Sequence, residues 1–109
     1  MKVAIVGSRS VSAFDLGSVL PADTTEIITG GAQGMDAIAQ AYASSAEIPC
    51  TVIRPDYRRY GKGAPLRRNE EIIRMADLVI AVWDGASRGT AHVIRRCGEL
   101  KKLCIVHHI

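Results

Sequence analysis

Thr29-Gly30-Gly31-Ala32-Gln33-Gly34-Met35-Asp36 decides how the chain is read. The β-branched pair Ile27-Ile28 precedes it, and Met35, Ile38, Ala39, Tyr42 and Ala43 follow at helical spacing. The stretch is therefore a strand-to-helix turn with three glycines. Glycine lets such a turn take positive φ and lets backbone approach a ligand closely. The free N–H groups of the helix start then suit a phosphate or carboxylate. The same glycines also serve a plainer purpose, a tight βα turn, and this stretch alone does not choose between the two.

Outward from that turn, strands and helices alternate. Lys2 to Val6 predicts a first strand, closed by Gly7-Ser8-Arg9. Ser12 to Leu20 predicts a short helix with Phe14, Val19 and Leu20 inward, ended by Pro21. Strand two is expected over Thr25 to Thr29, helix two over Gly34 to Ser45, and strand three over Thr51 to Arg54. Asp56 to Pro65 reads as one long loop. A third helix is expected over Leu66 to Met75, a very apolar strand over Leu78 to Trp83, a fourth helix over Arg88 to Lys101 and a last strand over Leu103 to Val106. Continuous apolar strands alternating with helices predict a parallel sheet covered on both faces. The expected architecture is α/β, one domain over residues 1–109, with a five-stranded doubly wound sheet in the order 3-2-1-4-5. In such sheets ligands bind beyond the carboxyl ends of the strands, where strand order reverses. Gly7-Ser8-Arg9, the glycine turn and Asp84 to Thr90 would all lie on that rim.

Composition narrows the possibilities further. The chain has 109 residues, 48% apolar and 23% charged, which fits a globular domain and excludes a disordered one. No apolar run approaches the roughly 18 residues of a membrane span, so no membrane partner is expected. Met1 to Val6 runs directly into a glycine turn and reads as a strand rather than a signal peptide. Cys50, Cys97 and Cys104 form no CxxC pair, lie in or beside apolar segments and read as small buried thiols. That usage predicts a reducing, cytoplasmic setting. The net charge of +3 is uneven. Between Arg54 and Arg68 six bases (Arg54, Arg58, Arg59, Lys62, Arg67, Arg68) face the single acid Asp56. Such a segment suggests an anionic partner, or simply a solvated loop.

The three loops carry the candidate chemistry. Arg9 beside Gly7 and Ser8 can hold a phosphate bidentately. Ser87-Arg88-Gly89-Thr90 reads as a helix start in which Ser87 caps, Gly89 opens the backbone and Thr90 adds a hydroxyl. Asp36 either caps its own helix or accepts hydrogen bonds from ribose hydroxyls. Trp83 is a core residue or a surface for a base. His107 and His108 read as a solvated end, and no Cys/His/Asp spacing suggests zinc. The second and third glycines of the dinucleotide fingerprint are missing after the first strand, and no GxxxxGK[ST] is present. No metal and no standing cofactor is expected.

Val6-Gly7-Ser8-Arg9, the Thr29 to Asp36 turn, Arg68-Asn69 and the run from Trp83 through Asp84, Ser87 and Arg88 to Gly89-Thr90 together resemble the small YspA/cpYpsA-related proteins of the SLOG superfamily. The resemblance implies a Rossmann-like fold that binds a nucleotide or nucleotide-derived ligand, often as a homodimer. It implies ligand-binding roles for Gly7, Ser8, Arg9, Thr29, Gly30, Gly31, Gly34, Asp36, Arg68, Asn69, Asp84, Ser87, Arg88, Gly89 and Thr90. The superfamily includes the Lonely Guy phosphoribohydrolases, which release a base from a nucleoside monophosphate, and the Smf/DprA proteins, which bind single-stranded DNA. Arg68 and Gly89-Thr90 match the Lonely Guy pattern, whereas Asn69 replaces its lysine and Val93 stands where its catalytic glutamate belongs. The loop before Gly89 is also two residues longer. A sensor or binding module is therefore the leading expectation. An enzyme acting on the N-glycosidic or phosphate bond would need Asp36, Glu70 or Asp84 in place of that glutamate. A single-stranded nucleic-acid binder would use Arg58, Arg59, Arg67 and Arg68 with Tyr57 and Tyr60 as stacking residues.

Overall fold

A computed structural model describes residues 1–109. Five strands, β1 (Lys2–Gly7), β2 (Glu26–Thr29), β3 (Cys50–Val52), β4 (Leu78–Trp83) and β5 (Cys104–His108), form one sheet in the order β3-β2-β1-β4-β5. Every pairing is parallel. The two central strands pair over five residues, from Val3 opposite Leu78 to Gly7 opposite Val82. β4 is buried from Leu78 to Val82 because helices cover both faces, which is why it shows no polar alternation.

Four helices join the strands: α1 (Met35–Ser45), α2 (Tyr57–Tyr60), α3 (Ala64–Met75) and α4 (Arg88–Glu99). On one face Val3, Ile5, Ile27 and Ile80 pack with Met35 and Ala39 of α1. On the other, Ala4, Ile28 and Val79 pack with Ile72 and Ile73 of α3 and Cys97 of α4. Strand order moves one way from β1 to β3 and the other way from β4 to β5. Right-handed crossovers must then place α1 on one face and α3 and α4 on the opposite one. The reversal falls between β1 and β4, whose carboxyl ends lie side by side.

Several local expectations are corrected. The helix expected over Ser12 to Leu20 is a single 3-10 turn, Leu16–Ser18. The Ser18 hydroxyl donates to the Asp15 carbonyl, a side-chain bond that competes with helix continuation. β3 stops at Val52 rather than Arg54, because its partner β2 ends at Thr29. The loop Asp56 to Pro65 contains α2 and a 3-10 turn at Gly61–Gly63, and α3 already begins at Ala64. Pro65 thus sits in the first helical turn, where its missing N–H would have had no partner. The Asp56 carboxylate accepts the Arg59 N–H at 3.2 Å, which starts α2 without any apolar period. α4 ends at Glu99 rather than Lys101, and β5 runs on to His108. His107 and His108 are consequently strand residues; their rings lie 5.7 Å from Phe14 and 5.9 Å from Trp83. Of the three thiols only Cys97 is buried, since Cys50 and Cys104 fall on the two edge strands. No helix is long and apolar enough to cross a membrane.

Candidate functional site

The loops after β1 and β4 are tied together by Asp84. Its Oδ1 accepts the Ala86 and Ser87 N–H groups at 2.9 and 2.8 Å, and its Oδ2 accepts the Ser10 hydroxyl at 2.9 Å. The Asp84 N–H in turn donates to Ser8 Oγ at 3.1 Å. These donors, the Ala86 amide first, lower the Asp84 carboxyl to about 2. Ser8 is fully buried, and its carbonyl accepts the Met35 N–H at 3.3 Å, which docks the start of α1 on the β1 loop. Gly34 makes that docking possible. It has φ 72°, and a Cβ there would fall 2.5 Å from the Ser8 carbonyl oxygen. Trp83 fixes the third side by donating its indole N–H to the Ser87 carbonyl at 3.0 Å. Its ring is an anchor for the loop and does not line the cleft described below.

The glycine turn is held from the opposite face by Arg68 of α3. Arg68 Nη1 donates to the Gly30 carbonyl at 2.7 Å, and its Nε donates to Asn69 Oδ1 at 2.9 Å. A Cβ on Gly30 would lie 2.5 Å from Arg68 Nη1 and 3.0 Å from Asp36 Oδ2, so a side chain there would displace the Arg68 guanidinium. Asp36 is 6% exposed and accepts the Ala32 N–H at 3.1 Å. It therefore satisfies the turn rather than capping α1. Burial is the largest influence on it and raises its pKa above the usual 3.8, against the opposing pull of the Ala32 amide, Thr29 and Arg68. Burial likewise lowers the pKa of Arg68, with the Asp36 charge opposing and the Arg9 charge adding to the effect.

Between these braced loops lies a cleft of about 190 Å³ at the reversal point of the sheet. Its polar lining comprises Arg9, Asp36, Arg68, Asn69, Ser87 and Thr90, with Gly7, Gly30 and Gly89 among its backbone walls. The first turn of α4 opens into it, and the N–H groups of such a turn have no intrahelical acceptor. Ser87 does not cap α4 through its side chain; its hydroxyl lies 3.3 Å from that of Thr90. Apart from its chain neighbours and the backbone of its own helix, Gly89 has no atom within 4 Å of where a Cβ would stand. The arrangement offers two guanidiniums and a helix N-terminus to an anion, with one carboxylate beside them for hydroxyl donors.

Six of the residues singled out from sequence stand outside the cleft lining. Ser8, Gly34 and Asp84 brace the loops, Thr29 is buried at the end of β2, Gly31 receives Arg54, and Arg88 is exposed. The apolar wall comprises Val6 and Ala32, which stand within the quoted motifs, and Pro65, Leu66 and Ile72, which sequence reading left out of the site. The signal for those three was proximity to Arg68, not residue type. Val93 lines the cleft and is 2% exposed. Of the three carboxylates considered as substitutes for a glutamate there, Asp36 alone lines the cleft. No group of three or more His, Cys, Asp or Glu side chains is arranged to hold a metal ion.

A doubly wound Rossmann-like sheet with an anion-suited cleft at its reversal point defines the structural class. The family model described as the YspA, cpYpsA-related SLOG family matches residues 1–60, from β1 through the glycine turn to α2. The chain belongs to that family. Comparison with curated proteins and with solved structures gives no match.

Proposed function

We propose that the protein binds a nucleotide-derived ligand in this cleft and acts as a sensor or binding module. Membership of the SLOG family is consistent with nucleotide-related binding or processing. The observation that carries the reading is the meeting, in one cleft, of the α4 N-terminus, Arg9, Arg68 and a carboxylate kept buried at energetic cost. In this reading the phosphate lies at the first turn of α4 between the guanidiniums, and Asp36 receives the ribose hydroxyls. A desolvated carboxylate facing a cleft fits a ligand site better than a purely structural position. Arg68 already holds Gly30 and Asn69, so it enters binding as a fixed group rather than a mobile clamp.

Calorimetry against nucleoside mono- and diphosphates, ADP-ribose and NAD tests this. At least one ligand should bind with better than millimolar affinity. A silent panel would overturn the proposal. Binding is favoured over hydrolysis because Val93 replaces a carboxylate at the cleft wall, and a positioned acid or base supplies about 10²–10⁴-fold in rate. Robust adenine release from AMP, lost on mutation of the cleft, would reverse that preference.

A further inference from the structure

The cleft is small for the ligand it is proposed to take. Pockets that enclose a drug-sized molecule run to roughly 300–1,000 Å³, and this one holds about 190 Å³. A phosphate and its sugar fit within it, and the remainder of the molecule must leave. A groove of about 780 Å³ adjoins it, and Leu66 and Arg68 line both. Beyond Arg68 the arginines of that groove are Arg54, Arg67 and Arg74, and Tyr60 stands among them.

Arg54 and Arg67 are exposed, and each touches one uncharged partner and no carboxylate. Arg54 Nη1 donates to the Gly31 carbonyl at 3.3 Å, and a Cβ on Gly31 would fall 2.7 Å from that nitrogen. The bare glycine therefore provides the guanidinium with its seat. Arg67 stacks on the Tyr60 ring, 4.9 Å from its centroid. The ion pairs of the molecule are those of Arg96 with Glu70 and Glu99, so neither Arg54 nor Arg67 has a carboxylate within 4.0 Å. Among the acids of the groove, Asp56 caps α2 and Glu70 is bound to Arg96; Glu71 makes no ion pair.

We infer that Arg54 and Arg67 form a second anion subsite, across Arg68 from the cleft, and that the ligand is a nucleotide whose first phosphate carries a further phosphate. This rests on the cleft reading for the first phosphate. Neither guanidinium has an ion pair to give up, so a second phosphate gains their charge-assisted hydrogen bonds without breaking one.

The test is calorimetry of AMP against ADP and of GMP against GDP, in EDTA, on the whole protein. Wild type should bind each diphosphate about tenfold or more tightly than its monophosphate, the range of a hydrogen bond to a charged group. Arg54→Met and Arg67→Met should bring the diphosphate close to the monophosphate while leaving the monophosphate unchanged. Arg54→Lys should retain part of the gain, and melting curves establish that each variant folds. Equal affinities in wild type, or equal weakening of both ligands in Arg54→Met, would overturn the subsite and leave the cleft standing. If neither mono- nor diphosphate binds, the cleft reading fails and the subsite fails with it.

Discussion

Asp36 is where stability and binding pull in opposite directions at a single residue. Its folded pKa is raised by burial, so the native state holds the proton more tightly than the unfolded chain does. The sign follows by linkage. As pH rises from the unfolded value near 3.8 through the raised folded value, this group removes stability from the fold, and above that window the loss is constant. Asp36→Asn keeps an oxygen for the Ala32 N–H and carries no charge. It should match wild type in stability below the window and exceed it at neutral pH, in denaturant melts across pH. Asp36→Ala leaves the Ala32 N–H without its acceptor and should cost about 1–3 kcal/mol. Both should weaken nucleotide binding if ribose hydroxyls use the carboxylate. An Asp36→Asn variant less stable than wild type at pH 7 would contradict the account.

At the scale of elements, α4 is built with room to spare at its cleft end. Gly89 stands in its first turn and Gly98 near its last, and a Cβ on either would meet nothing within 4 Å beyond its chain neighbours and its own helix backbone. Glycine weakens a helix interior by up to about 1 kcal/mol relative to alanine. Gly89→Ala and Gly98→Ala should therefore each hold or raise the melting temperature. Only Gly89→Ala should reduce nucleotide affinity, because Gly89 lines the cleft while Gly98 is far along the helix. Equal affinity in the two variants would remove the α4 N-terminus from the site. β1, β4 and α4 were legible in the sequence because the two strands are long apolar runs and Thr90, Val93, Ile94 and Cys97 keep a helical period along α4. The first crossover was not legible, since Phe14, Val19 and Leu20 gave a partial period that Ser18 and Gly17 could not sustain. α2 was missed for the opposite reason: Asp56 starts it by one side-chain bond, and no residue of it is buried. Within the site, Arg9, Asp36 and Gly89 could be placed by pattern. The bracing role of Asp84 could not, because its partners Ser8 and Ser10 lie more than 70 residues away in sequence.

Across the whole molecule, the order β3-β2-β1-β4-β5 brings the carboxyl ends of β1 and β4 together and sets the +5 segment from Arg54 to Arg68 along one side of the cleft. That placement offers an anion two surfaces: the cleft itself and the exposed outer side of α2, where Tyr57 and Arg58 stand in solvent. A small nucleotide held at the reversal point and a strand lying along the basic segment would load these surfaces differently. Amide chemical shifts of isotope-labelled protein, followed during titration with the tightest nucleotide and separately with oligo-dT, read that difference residue by residue. The nucleotide should move the amides of Arg9, Gly30 to Ala32 and Arg88 to Thr90 most, with saturation and little salt dependence beyond that of one or two phosphate charges. Oligo-dT should bind weakly. Shifts confined to Tyr57 through Gly63, with the amides of Gly89 and Thr90 unmoved and affinity falling steeply with salt, would contradict the cleft as the binding site.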